Sequence, residues 1–407
     1  MRGHFHWWLF WWLLVYATEM GATPNPLATP APFVPVPIAT VHFNVEIDRT
    51  RCATTSPAID ARLVALEAGG LTMTIVEIVV RAGMHFAGAV MDRGEGFEIA
   101  QIRKAWDFLM DWNLRAEAHA FTADRIVLVV DEQENARLSA TRSEILAFGI
   151  GLEVASRIYD IEYALWEGSP GLSLHDIQTY TAAGDLIEVE LRGRINRKGM
   201  TSAVEEIYDK FATGNFSNAA GVVVFPRTTN GSRSAEIMIV DPDGDRPTDP
   251  ASSRLRILLR HYAPFFYYQG GIVRRFGVRM REISLSDEAT FAEYLANGDG
   301  ILIQNKTRAG RVGFTESGVR YVGTVWDGVY WPDWLTGIKS PADGGVFFWG
   351  LRKGIVDAIR SGKLTELVGL RDQHKVISSE RHLVVILEDG VCLIWAASEA
   401  DLGTRTA

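Results

Sequence analysis

The stretch Leu174–Arg194, LHDIQTYTAAGDLIEVELRGR, holds residues whose types and spacing could do chemistry. Alternate residues of a strand share a face. If the second half of this stretch is a strand, Leu186, Glu188, Glu190, Arg192 and Arg194 lie on one side, and Ile187, Val189, Leu191 and Ile195 lie on the other, toward a core. Ala182-Ala183-Gly184 suits a three-residue hairpin loop with glycine in the left-handed position. That loop pairs Thr181 with Asp185. It also sets Asp176 opposite Glu190, with Glu188 and Arg192 as diagonal neighbours within side-chain reach.

Two chemistries fit this pattern. Carboxylates brought this close repel one another unless a cation lies between them. Such hard oxygen donors suit Mg²⁺ or Mn²⁺. An ion held there can activate water and stabilise charge on a phosphate in transfer. A cationic side chain two residues along the strand would act on the same phosphate. The other fit is a solvated ladder, in which outward Glu and Arg alternate and Asp176 pairs with Arg192.

The elements expected around the hairpin are a helix from SATRSEILAFGIGLEVASRIYDI, strands IEYALWE, LSLHDIQTYTA and DLIEVELRGRI, a helix TSAVEEIYDKFA and a buried strand AAGVVVF. Thr141 and Glu144 have the spacing of a capping box, which would start the first helix there. The order α-β-β-β-α-β around Asp176 and ELRGR resembles the PD-(D/E)XK nuclease superfamily, whose sites carry an Asp at one strand end and Glu-x-Lys on the next. The resemblance implies a restriction-endonuclease-like core over roughly residues 143–225. It also implies Mg²⁺ or Mn²⁺ as cofactor and DNA as partner. Asp176 and Glu190 would be the acidic ligands, and Glu153, from the helix, would help position the metal or the water. In a second register Glu188 is the ligand. Arg192 stands where the family has Lys; it keeps the charge but cannot act as a base. An inactive domain that keeps the shape is therefore also implied.

The expected fold class is mixed α/β. Residues 1–38 form an apolar run and a Pro-rich linker. Residues 39–136 form a small α/β module, in which ATVHFNVEI, LTMTIVEIVV and RIVLVVDE read as strands and GFEIAQIRKAWDFLMDWNLRAEAHA as a helix. Residues 137–250 form the nuclease-like domain, and 251–407 a mixed α/β domain. In the last of these, residues 253–348 read as strands mixed with aromatic-rich loops. GGVFFWGLRKGIVDAIRSGKL contains a helix, and Asp389-Gly390 marks a hairpin.

A second candidate site is Arg254–Arg281, which carries seven arginines and no acid: Arg254, Arg256, Arg260, Arg274, Arg275, Arg279 and Arg281. Tyr262, Phe265, Phe266, Tyr267, Tyr268 and Phe276 are interleaved with them. Arginines bind phosphates and aromatics stack on bases. The competing reading has Leu255, Ile257 and Leu258 in a core, with the arginines covering it through their stems. The net charge of -9 makes any binding of nucleic acid a matter of local patches.

Other patterns exclude more than they suggest. DPDGDRPTD, Asp241–Asp249, lacks the closing Glu of a calcium loop and reads as a solvated turn. No phosphate-binding glycine loop or dinucleotide fingerprint occurs, so no nucleotide cofactor is expected. Two cysteines, Cys52 and Cys392, make no disulfide framework and suit a cytoplasmic protein. The run from Trp7 to Ala17 is shorter than the roughly 20 residues that span a bilayer. A membrane partner is therefore not expected, the alternative being a secreted or anchored chain with residues 7–17 as signal. The non-enzymatic alternative is an interaction or scaffold protein that keeps the fold.

Overall fold

The computed structural model describes residues 40–47, 56–74, 76–78, 80–81, 136–159, 161–166, 177–181, 186–193, 197–213, 219–229, 232–240, 250–268, 271–297, 312–329, 331, 337–370, 372–402 and 405–406. The expected helix in 96–120, the strand RIVLVVDE, the acidic turn 241–249 and residues 1–38 lie outside the described residues.

The first half is built on a seven-stranded sheet in the order β2-β1-β7-β6-β5-β4-β3. Its strands are β1 (Thr40–Ile47), β2 (Leu71–Thr74), β3 (Ile161–Trp166), β4 (Ile177–Thr181), β5 (Leu186–Gly193), β6 (Ala219–Thr229) and β7 (Ser232–Val240). Helix α1 (Pro57–Gly69) connects β1 and β2, α2 (Ala136–Tyr159) precedes β3, and α3 (Arg197–Thr213) carries the chain from β5 to β6. The β5–β6 and β1–β7 pairs are parallel, and the other neighbours are antiparallel. Strands expected in two separate modules thus share one sheet, because β1 adds in parallel to the edge of β7.

Two expectations are corrected. LTMTIVEIVV is not one strand: β2 ends at Thr74, and residues 76–78 and 80–81 are helical. The cause is a reciprocal capping box. The Glu77 amide donates to Thr74 Oγ1 at 3.2 Å, and the Thr74 amide donates to Glu77 Oε2 at 2.5 Å. Conversely, Thr141–Glu144 does not start α2, which begins at Ala136 on good helix formers. α2 lies close on its neighbours through two glycines. A Cβ at Gly149 would meet the Ile78 carbonyl oxygen at 2.2 Å, and one at Gly151 would meet Leu191 Cδ2 at 2.4 Å.

The second sheet is wholly antiparallel, in the order β11-β12-β13-β10-β9-β8-β14. Its strands are β8 (Val312–Glu316), β9 (Val319–Val329), β10 (Gly345–Arg352), β11 (Lys375–Ser378), β12 (His382–Ile386), β13 (Val391–Ala396) and β14 (Arg405–Thr406), with α7 (Lys353–Arg360) after β10. The expected hairpin at Asp389-Gly390 joins β12 to β13, with Gly390 at φ 80°.

Between the sheets in sequence, residues 250–297 form three helices rather than strands and loops: α4 (Pro250–Tyr268), α5 (Gly271–Ser284) and α6 (Glu288–Asn297). α4 packs on β3 and β4 and also on the turn Leu364–Gly369 of the second half. It is buried or half-buried nearly all round over residues 254–267, with Leu255, Leu259, Phe265 and Phe266 in the core. One hydrophobic cluster runs from Phe43 and Leu191 through Phe266 to Trp395, so the core is continuous across both sheets. On the second sheet, Trp326 stacks on Phe347 with ring centroids 5.8 Å apart.

Candidate functional site

β4 and β5 pair as the hairpin loop implied: Ile177 opposite Val189, Gln178 opposite Glu188 and Thr179 opposite Ile187. Asp176 itself lies outside the described residues. The alternation on β5 also holds, since Ile187, Val189 and Leu191 are buried on the side that α2 covers. The charged side is not a solvated ladder. Glu188 is 4% exposed and Glu190 is 0% exposed. β5 lies inside the sheet between β4 and β6, and α3 crosses its charged face.

α3 buries Ala203, Val204, Ile207 and Phe211. The same helical period turns Lys210 toward the sheet, where Nζ donates to Glu190 Oε2 at 2.6 Å. Arg192 forms an ion pair with Glu190 Oε1. Both cations are partly solvated, with side chains 25% and 27% exposed. On β6, Gly221 lies beside Glu190 and adds no side chain there. A buried carboxylate without partners would be far too costly to keep ionised. Here a strand guanidinium and a helix ammonium hold one oxygen each, so Glu190 fixes both. Sequence reading missed Lys210, although Ala203, Ile207 and Lys210 fall on one helical face.

Glu153 has other partners. One oxygen pairs with Arg81 Nη2 at 2.8 Å, and the other accepts from Arg157 Nε at 2.9 Å. Burial pushes its carboxyl up, but Arg81 and Arg157 outweigh burial and hold it below the usual carboxylate range. Among the described residues, no three His, Cys, Asp or Glu side chains come together as a metal site.

The Arg254–Arg281 stretch separates into two kinds of residue. Tyr262, Phe265, Phe266, Tyr267 and Phe276 are buried in the core and are not presented for stacking on bases. The side chain of Tyr268 lies outside the described residues. Arg256 donates to the carbonyls of Ser284, Ser286 and Asp287 at 3.1, 2.5 and 3.1 Å and lies 4.1 Å over the Phe291 ring. It therefore ties the α5–α6 junction, where the Ser284 carbonyl at the end of α5 needs a donor. Arg260 is buried, and Arg254 is half-buried. Arg274 stacks over Tyr267, 4.4 Å from its centroid, and donates to its hydroxyl. Arg275 and Arg279 are exposed on α5, with Arg279 paired to Glu282 at 3.0 Å.

A polar cluster in the second half holds the β12–β13 turn. His261 Nε2 and Asp389 Oδ2 lie 2.6 Å apart, and the Tyr262 hydroxyl donates to the Asp389 carbonyl at 2.8 Å. Nearby, Asp372 accepts from Tyr321 Oη and Arg352 Nη1, both at 3.0 Å. Burial raises the Asp372 carboxyl and the Tyr321 phenol, and it raises the Cys392 thiol strongly.

Comparison with known protein families, with curated proteins and with solved structures finds no match to this chain.

Proposed function

We propose that the chain binds nucleic acid through its phosphates, with a nuclease-like domain whose carboxylate centre is neutralised by its own side chains. The observation that carries this reading is the fully buried Glu190 on β5, clamped between Lys210 and Arg192. It stands within the element order α2-β3-β4-β5-α3-β6, the order that the resemblance to the nuclease superfamily calls for. Charge-assisted hydrogen bonds from ammonium and guanidinium groups are the strong contacts to phosphate oxygens. Glu190 positions the two groups, and their solvated portions meet the phosphate. Arg275 and Arg279, exposed on α5, supply further backbone contacts.

The described donors do not fit a resident divalent ion. Glu190 already holds two cations, and no third acidic or imidazole group joins it among the described residues. No catalytic step through a metal follows from this arrangement. Metal-dependent hydrolysis is the second reading, and one observation favours it: β4 and β5 pair, from Ile177 opposite Val189 onward, in the register that the sequence reading used to bring the acidic residues together.

The test is fluorescence anisotropy with duplex and single-stranded DNA over a range of salt. Each duplex phosphate contact adds about 0.9 to the slope of log K against log salt. Arg192→Ala, and Arg275→Ala with Arg279→Ala, should each flatten the slope by about one or two. No binding at low salt, or slopes unchanged in every variant, overturns the nucleic-acid reading. Cleavage of either DNA in Mg²⁺ or Mn²⁺, lost on Asp176→Asn, establishes the second reading instead.

A further inference from the structure

We propose that the two halves of the molecule are joined by a proton-operated latch, in which Glu388 of the β12–β13 turn and Glu153 of α2 compete for the buried guanidinium of Arg81. Arg81 is 2% exposed in its side chain. Its Nη2 lies 2.8 Å from Glu153 Oε2 and 3.5 Å from Glu388 Oε2. One buried cation therefore faces two carboxylates, one from a helix on the first sheet and one from a turn of the second. Arg157 supplies a second positive charge, but it pairs with Glu153 alone among the distances above and is half exposed. His374, from the segment before β11, is the other cationic group that acts on both carboxyls. Its Nε2 lies 3.1 Å from Oε1 of the capping glutamate Glu77, and its charge, when protonated, favours the ionised forms of both Glu153 and Glu388.

The turn is tied to the rest of the second half independently of this cluster. The amide of Asp372 donates to the Glu388 carbonyl at 3.0 Å, and the amide of Arg352 donates to the Gly390 carbonyl at 2.9 Å. These backbone bonds anchor the turn that carries Glu388 to Asp372 and to the end of β10.

The two carboxyls have opposite signs of linkage. Burial raises Glu388 above its ordinary value of 4.5, and Arg81 offsets this only in part. The folded chain holds that proton more tightly than the unfolded chain. Its contribution is therefore present at low pH and is lost as pH rises from 4.5 through the folded value. Glu153 is held below 4.5, so its contribution is present above 4.5 and is lost as pH falls through its folded value. Acidification from neutral pH toward 4.5 therefore favours the neutral Glu388, which no longer competes with Glu153 for Arg81, and the closed seam is relieved of a buried carboxylate that Arg81 compensates only in part.

The experiment is urea unfolding of the full chain, Glu388→Gln and Glu153→Gln at a series of pH values from about 4 to 7.5, a span that brackets ordinary carboxyl titration. The unfolding constant of the parent relative to Glu388→Gln should rise with pH between 4.5 and 7.5, by about tenfold for each unit of pKa elevation. The parent's advantage over Glu153→Gln should instead be largest at neutral pH and shrink toward pH 4. Amide exchange supplies a second readout within the native state: protection at Leu387 and Gly390, corrected for intrinsic rate, should increase on acidification in the parent and not in Glu388→Gln. Parallel stability curves for parent and Glu388→Gln, or the same direction of change for both variants, would overturn the latch. So would exchange protection at the turn that ignores pH.

Discussion

Removing Lys210 tests whether the Glu190 clamp is a paired buried charge or an incidental contact. Opposite charges 2.6 Å apart attract by about 6 kcal/mol at an effective dielectric constant of about 20. Desolvation of the fully buried carboxylate consumes several kcal/mol of that. Truncating one partner of a buried pair costs about 3–5 kcal/mol. Here Arg192 still holds Oε1, and Lys210 keeps a quarter of its side chain in solvent. Lys210→Met should therefore cost less, about 2 kcal/mol. Glu190→Gln keeps the volume but leaves two cations without their counter-charge and should cost about 3 kcal/mol. The double variant should cost less than the two single changes together, with a coupling of about 1–3 kcal/mol. The assay is urea unfolding of all four proteins, read from midpoints at constant slope. A coupling below about 0.5 kcal/mol refutes the clamp, because distant independent sites add to within that margin.

Three further outcomes follow from packing. Gly149→Ala should destabilise more than Gly151→Ala, because its new methyl meets a backbone carbonyl whereas the other meets the end of a leucine; thermal unfolding of both variants orders them, with overpacking costs of about 1–3 kcal/mol as the scale. Arg256→Ala should cost about 2 kcal/mol by removing its three bonds to the α5–α6 junction, while Arg275→Ala should stay within about 0.5 kcal/mol, and equal effects would show that the division of this stretch is wrong. Tyr262→Phe should cost about 1 kcal/mol in urea unfolding through its lost bond to the Asp389 carbonyl.

The hairpin was legible because its signals are local. A glycine-bearing loop and a period of two fix both the register and the faces, and β4 and β5 pair accordingly. The run of elements from α2 to β6 was legible for the same reason. The α4–α5 region was not. Its arginines at 254, 256 and 260 interrupt the apolar pattern, while its aromatics suggested an exposed surface. In the structure the helix is buried on almost every side, and at such a position an arginine is retained by what it bonds: Arg256 donates to three carbonyls of the α5–α6 junction some thirty residues away. The T-I-V-E capping box at Thr74 was a readable helix start that β-branched neighbours masked. The parallel pairing of β1 with β7 joins residues nearly two hundred positions apart, and nothing local encodes it.

The same distinction between local and distant signals explains the candidate site. Alternating Glu and Arg on a strand says which residues share a face but not what covers that face. An edge strand would leave such a face to solvent, and the charges would be screened. β5 instead lies between β4 and β6 with α2 on one side and α3 on the other, so the carboxylate of Glu190 loses its water entirely. Once that happens, cations must be fixed at both oxygens, one from the strand itself and one from the helix that closes the face. Arg192 was visible in the pattern; Lys210 becomes its counterpart only after α3 has crossed the sheet. The burial that makes the carboxylate costly also holds an ammonium and a guanidinium together at a partly solvated surface. That pairing of fixed cations is the physical basis for reading the site as one directed at phosphate.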